Sequence, residues 1–507
     1  MAEAKTIADA LGRAARNSIA IAAPERPALG FGALESFVAE TVEALNRAGI
    51  GRNDRVGIVL PNGPEMASAF LAVAAGATAA PLNPAYRADE FEFYLSDLNA
   101  KALIVQAGVE TPATAVAEKL GVRILPLTPR SGGAAGLFDL ETGARSAAAN
   151  PGAASQDDVA LVLHTSGTTS RPKIVPLSQC NVTASARNIS GWLGLTPGDR
   201  CLNIMPLFHI HGLIAAVLSS LYAGASVACS PGFNALKFFG WMEELRPTWY
   251  TAVPTMHQAI LARASRNQEI IRRVPLKLIR SSSSSLPAPV MTELEAAFNA
   301  PVIESYGMTE ASHQMTSNPL PPRERRAGCV GVAAGPEVAT MDEAGALKKP
   351  GETGEVVIRG ENVTLGYENN PKANESAFTN GWFRTGDQGV IDAAGYLTLT
   401  GRLKEIINRG GEKISPREVD DILMTHPAVS QAVAFAVPHD KLGEDVAAAI
   451  VLRDGASATD REIREFAAQH LADFKVPRQV LILDEIPKGA TGKLQRIGLA
   501  EKLGLGK

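Results

Sequence analysis

The sequence predicts an α/β protein: a large N-terminal domain of layered, mostly parallel βαβ sheets over residues 1–402, then a small α+β C-terminal domain over residues 403–507. Three observations predict it. A chain of 507 residues is too long for one hydrophobic core and splits into domains. Short apolar β-type runs alternate with helix-type runs, the sequence form of βαβ units around buried parallel sheets. Past residue 400 the texture changes to capped helices set between longer strand-like runs.

Taken in order, "DRVGIVL" leads to the helical "GPEMASAFLAVAAG", and "ALIVQ" follows. Later "RCLNIMPL", "ASVAC", "TWYTAV", "LKLIRS" and "PVIESY" are separated by apolar-periodic segments. The stretch "SGGAAGLFDLETGARSAAANPGAAS" reads as a small-residue surface linker. In the C-terminal part, "SPREVDDILMTH" offers Ser415 as N-cap, Pro416 at the first helical position and Glu418 as the return arm of a capping box. Thr459 and Glu462 repeat the device, and "QAVAFAV", "VAAAIVL" and "QVLIL" supply the strands.

Composition narrows the function. With 49 basic and 53 acidic residues, no charge excess points to nucleic acid or an anionic membrane. Cys180, Cys201, Cys229 and Cys329 are scattered without CxxC spacing, which fits reduced core thiols in a cytoplasm better than zinc or disulfides. The N-terminus carries charges throughout and makes a poor signal peptide, and the greasiest stretches are broken by glycine or proline, so they read as buried helices and not as membrane spans. A cytoplasmic protein is expected. The sequence leaves its oligomeric state open.

In parallel α/β folds, ligands gather at the carboxyl ends of strands. The polar clusters "HTSGTT", "FHIHG", "SSSSS" and "YGMTE" each follow one of the strand-like runs, so they are expected to share a site. The loop "HTSGTTSRPKIV" gathers Thr165, Ser166, Gly167, Thr168 and Thr169 before Lys173, hydroxyls and backbone amides suited to polyphosphate with one cation. It is not a P-loop, because Pro172 replaces the second glycine and Ile174 stands where a metal-binding hydroxyl belongs. "ESYGMTEAS" adds Glu310, a hard carboxylate suited to Mg²⁺, beside Thr309 for a phosphate oxygen and Tyr306 for stacking on a base. Asp387 in "TGD" and Arg402 in "GRLKEI" can bracket a ribose or form a plain salt bridge; Lys488 and Lys493 lie in the glycine-rich "PKGATGKLQR".

Together and in this order, these motifs resemble the adenylate-forming acyl-CoA synthetases, the superfamily that includes luciferase and peptide-synthetase adenylation domains, and the resemblance spans nearly the whole chain. It implies a two-step reaction: ATP and a carboxylate give an acyl-adenylate and pyrophosphate, then the thiol of coenzyme A displaces AMP. The resemblance implies that residues 165–173 hold the β and γ phosphates and Thr309 the α phosphate. Glu310 would bind Mg²⁺, the Ser305–Tyr306–Gly307 segment would flank adenine, and Asp387 and Arg402 would bind the ribose. Lys493 would bridge α phosphate and substrate carboxylate. The C-terminal domain would be mobile about Lys404, with Gly410 and Gly411 beside the pantetheine of coenzyme A.

Long-chain synthetases need an apolar tunnel, yet the corresponding segments here hold His209, His211, His257, His313, Arg280 and five serines. Such imidazoles and hydroxyls suit a small substrate with a second carboxylate. "HTSGTTSRPK", "PLFHIHG", "WYTAVPTMHQ" and "MTEASHQMTSNPLP" are similar to the oxalate–CoA ligase branch. That similarity implies oxalate as the small-molecule carboxylate, held by His209, His313 and Ser283 or a neighbour within 281–285. Malonate or another short acid, and a stand-alone adenylation enzyme loading a carrier protein, are the alternatives.

Overall fold

The computed structural model describes residues 3–165, 172–487, 494 and 496–506. Among these residues the N-terminal part is built on two large sheets. In the first, the strands Trp249–Ala252, Leu278–Ser282 and Val302–Met308 run parallel side by side, and His313–Ser317 turns back antiparallel along the last of them. In the second, Arg55–Val59 lies parallel between Thr78–Pro81 and Ala102–Gln106, and the sheet ends in the antiparallel pair Val159–Thr165 and Lys173–Ser178.

The helix Pro64–Ala74 packs against strands of both sheets. Its alanines and Ser68 explain why it fits there, since small side chains let two sheets approach one helix closely, and Phe70 fills what remains with no exposure. Burying a side chain of that size is worth roughly 2–3 kcal/mol. The following "TAAP", Thr78–Pro81, is a strand, so the greasy run divides into helix and strand. No described helix is long and apolar enough to cross a membrane.

Two expectations are corrected. The 131–155 segment is a surface linker only in its second part: Phe138–Leu140 pairs antiparallel with Arg123–Pro129, and Ala135 and Phe138 are buried, while residues 141–153 are largely exposed. Phe138 in the core, with Leu137 and Leu140 packed against it, is enough to anchor the first part. The capping box at Ser415 forms by half. Ser415 accepts from the Glu418 amide, but the Glu418 carboxylate is drawn off to Lys475 Nζ at 2.7 Å. The Thr459–Glu462 box is complete.

A third, antiparallel sheet carries Trp382–Ile391 and Leu397–Arg402, and a fourth, mixed one carries Val429–His439, Gly443–Leu452 and Gln479–Ile482 around its own apolar cluster. The helix Pro416–Leu423 packs on Val429–His439 of the fourth sheet, and its Arg417 and Asp421 act electrostatically on Glu304 of the first. Glu304 is 1% exposed; one carboxylate oxygen accepts from the Leu286 amide at 2.9 Å and the other has no hydrogen-bond partner among the described residues. Burial pushes its carboxyl up to about 7, and Arg417 offsets only part of that. An acid whose folded value is raised from 4.5 favours the native state at low pH and loses that contribution as pH rises towards 7, about 3 kcal/mol in all. Glu304→Gln keeps the acceptor and cannot ionise. Its Tm, relative to wild type, is therefore expected to climb between pH 5 and pH 8; a pH-independent difference would mean Glu304 ionises freely.

Candidate active site

Asp387 is placed by a hairpin. Trp382–Ile391 pairs with Leu397–Arg402 in a register that sets Asp387 opposite Arg402, and Gly386 at φ +76° makes the bend that few other residues adopt. The Asp387 carboxylate accepts from Arg402 Nε at 3.0 Å and from the Tyr306 hydroxyl at 2.5 Å. Tyr306 comes from the first large sheet, so this carboxylate ties two sheets together. Burial first, then Asp387, pushes the Tyr306 phenol well up, which keeps it a donor. Asp387 in turn holds the Arg402 guanidinium firmly protonated. Two of the roughly four lone-pair positions of the carboxylate remain for a ligand's hydroxyls.

Beyond Tyr306 the strand ends at Met308 and a single 3₁₀ turn, Thr309–Ala311, presents Thr309 and Glu310. Glu310 is 5% exposed; its Oε1 accepts from the Tyr367 hydroxyl at 2.8 Å. Lys173 Nζ stands 4.2 Å over the Tyr367 ring. Burial raises the Glu310 carboxyl and lowers the Lys173 ammonium, while each partly restores the other's charged form. A hard carboxylate fixed by one donor, beside an ammonium able to pair with phosphate, fits a magnesium–polyphosphate ligand, since Mg²⁺ takes one or two carboxylates and fills its shell with phosphate oxygens and water.

Thr165 and Lys173 face each other across the mouth of the Val159–Thr165/Lys173–Ser178 hairpin. Ser166, Gly167, Thr168, Thr169 and Ser170 of the phosphate loop, and Lys488 and Lys493, lie outside the described residues. Ile174 has a structural reason. Its side chain is buried with Val162 and Phe91, and its carbonyl accepts from the Glu368 amide at 3.1 Å, so a core position excludes the glycine or hydroxyl of a P-loop.

The polar segments converge. A π-helical turn, His211–Leu218, buries His211, whose Nδ1 meets Ser283 Oγ at 3.0 Å and whose Nε2 meets Thr251 Oγ1 at 2.6 Å. His313 lies beside it, ring centroids 4.9 Å apart. Ser283 sits at φ +73° and His313 at φ +99°. Non-glycine residues held there cost roughly 1–3 kcal/mol each and cluster at functional sites. Gly307 permits the approach: a Cβ there would lie 1.7 Å from the His313 carbonyl oxygen. Ser305 is buried, bonded to the Ser281 carbonyl at 3.3 Å. His209 is half-buried and its Nδ1 accepts from the His211 amide at 3.3 Å. His257 belongs to the core, paired with the Tyr250 hydroxyl at 3.1 Å, and burial pushes it down to about 3.

Lys404 lies exposed in the turn after Arg402, where one sheet ends and the next unit begins. Gly410 and Gly411, at φ +61° and +101°, form the two-residue turn joining Ile407–Arg409 to Glu412–Ile414, the backbone that such a tight hairpin requires.

The family model of AMP-binding enzymes matches residues 11–368, and that of the AMP-binding enzyme C-terminal domain matches residues 418–493. The chain belongs to the AMP-binding enzyme family. This AMP-binding enzyme is 48% identical over 458 residues to an oxalate–CoA ligase of Arabidopsis thaliana, covering 89% of this chain and 88% of that one. It is 45% identical over 476 residues to an oxalate–CoA ligase of Saccharomyces cerevisiae, covering 89% and 87%. Among solved structures, ATP-bound MatB from Rhodopseudomonas palustris superposes with a TM-score of 0.88 at 29% identity, covering 98% of each chain.

Sequence reading missed Tyr367, and it had no local signal to find it: "LGYENN" reads as an ordinary turn. It noted His211 but chose His209 for the pocket. It gave no role to Thr251 or Gln314, although Thr251 is a buried polar side chain in a parallel strand, where apolar ones are the rule.

Proposed function

We propose that this enzyme ligates oxalate to coenzyme A through an oxalyl-adenylate, releasing pyrophosphate and then AMP. One observation carries the choice of a dicarboxylate. Beside the Tyr306–Glu310 segment, His211, Ser283, Arg280 and His313 form one connected cluster of polar side chains, all but Ser283 buried, where a synthetase for a long acyl chain needs aliphatic ones. The two relatives named as oxalate–CoA ligases support the same reading.

A carboxylate is a poor electrophile, and adenylation gives it a good leaving group. In this reading Asp387 accepts the ribose hydroxyls with the lone pairs that Tyr306 and Arg402 leave open, and Tyr306 lies along the adenine. Thr309 donates to the α phosphate, and Lys173 and the loop 165–171 hold the departing pyrophosphate. Glu310 would hold Mg²⁺ on the phosphates; that ion, when bound, neutralises developing phosphate charge. Lys493 brings its ammonium to the α phosphate and the attacking carboxylate. His209, Ser283 and His313 grip the distal carboxylate. Residues 403–507 form the moving unit, turning about Lys404 between half-reactions so that Lys493 serves the first and the Gly410–Gly411 turn lines the path of pantetheine in the second. The end of one sheet at Arg402 and the exposed turn at Lys404 support that division.

A panel of oxalate, malonate, acetate and octanoate, assayed for CoA-dependent pyrophosphate release, tests the reading. Oxalate is expected to exceed malonate in kcat/KM by at least about 10-fold, the discrimination that one methylene allows. A preference for octanoate would overturn it.

A further inference from the structure

Arg280 lies on the Leu278–Ser282 strand, wholly buried, and no carboxylate among the described residues forms an ion pair with it. A buried guanidinium without a counter-charge is costly, and here its Nε also lacks a hydrogen-bond partner. Burial pushes it down to about 9, which leaves it charged at neutral pH. Its remaining contacts are three. Nη1 donates to Thr251 Oγ1 at 3.5 Å; Nη2 donates to Gln314 Oε1 at 3.1 Å and faces His313 Nδ1 at 3.4 Å.

These contacts have a direction, because an arginine donates and never accepts. At His313, Nδ1 must be the acceptor, so the proton of the neutral ring resides on Nε2. At Thr251 the hydroxyl oxygen accepts from Arg280, and its own proton has one acceptor among the described residues, His211 Nε2 at 2.6 Å. His211 then carries its proton on Nδ1 and donates to Ser283 Oγ at 3.0 Å. Ser283, having accepted, points its hydroxyl proton onward. Both branches start at a donor-only cation and end in donors.

We propose that Arg280 is a positioning residue that polarises the acyl pocket: through Thr251–His211–Ser283 and through His313 it sets two neutral groups as donors for the substrate's distal carboxylate, and its unpaired charge balances that carboxylate without touching it. The inference rests on the reading of the substrate as a small dicarboxylate. It explains how a pocket of neutral imidazoles and hydroxyls selects an anion. An acid lacking the second charge leaves the guanidinium uncompensated, so acetate is disfavoured for electrostatic reasons and not for size.

The test combines ¹⁵N-histidine NMR of the free enzyme with steady-state kinetics on wild type, Arg280→Met, Arg280→Lys and Thr251→Val. Wild type is expected to show His211 as the Nδ1–H tautomer and His313 as Nε2–H. Arg280→Met should mix both tautomers and raise the KM for oxalate by about 10- to 100-fold, the loss of charge-assisted hydrogen bonding, with the KM for ATP unchanged. Arg280→Lys, which keeps a donor and the charge, should recover most of the oxalate affinity. Thr251→Val cuts one branch only: the oxalate KM should rise about 10-fold while the His313 tautomer stays. An Arg280→Met enzyme with wild-type tautomers and oxalate KM overturns the proposal. If that variant does not fold, an unchanged oxalate KM in Thr251→Val overturns it. If wild type prefers a monocarboxylate, the substrate reading and the charge-balancing role fail together; the tautomers still report whether Arg280 sets proton direction.

Discussion

Replacing Lys493 with alanine is expected to slow pyrophosphate release from ATP and oxalate by about 10²–10³-fold, the scale on which removing one preorganised charge from a developing anionic transition state is felt. The first half-reaction brings two anions together, the substrate carboxylate and the α phosphate, and negative charge accumulates between them as the new bond forms. An ammonium between them opposes that repulsion. The second half-reaction begins from the mixed anhydride, where this repulsion has gone. Thioester formation from supplied oxalyl-adenylate is therefore expected to survive within a few-fold. A single-turnover experiment on each half-reaction reads the two rates separately, and equal losses in both would remove Lys493 from the proposed role.

Asp387→Ala is expected to reduce kcat/KM for ATP by about 10²–10⁴-fold, since two hydrogen bonds from ribose hydroxyls to a carboxylate would be lost together. The carboxylate also accepts from Tyr306 at 2.5 Å and from Arg402 at 3.0 Å, so its removal strips both groups of a partner and loosens the tie between two sheets. Kinetics with 2′-deoxy-ATP and 3′-deoxy-ATP separate the contributions. Wild type should lose efficiency with each deoxy analogue, and the alanine variant should no longer tell them from ATP. If the variant still discriminated as wild type does, the ribose would be bound by other groups and Asp387 would be a structural tie alone.

The βαβ alternation was legible because a parallel strand covered on both faces is apolar along most of its length, and "VGIVL" or "ALIVQ" shows that without any partner in view. The placing of Thr309 and Glu310 just past a strand was legible because the end of "PVIESY" is marked locally, whereas Asp387, expected between turn residues, lies inside the strand Trp382–Ile391. Ile174 was not legible, because its reason lies in an apolar cluster with Val162 and Phe91 rather than in the loop it follows. The 131–155 segment misled because its glycines and alanines outnumber the one phenylalanine that docks it.

The sequence by itself determined the elements, the order of the motifs and the chemistry available to them, since propensity, periodicity and side-chain type are local properties. Tertiary structure alone decided which polar groups meet. Thr251, Arg280 and His313 sit on three strands, His211 on a π-helical turn and Ser283 in a loop. Only the sheet order brings Trp249–Ala252 beside Leu278–Ser282 and closes the pocket with His313. The direction of its hydrogen bonds follows from Arg280 being buried with no counter-charge among the described residues, and burial depends on every element packed around it.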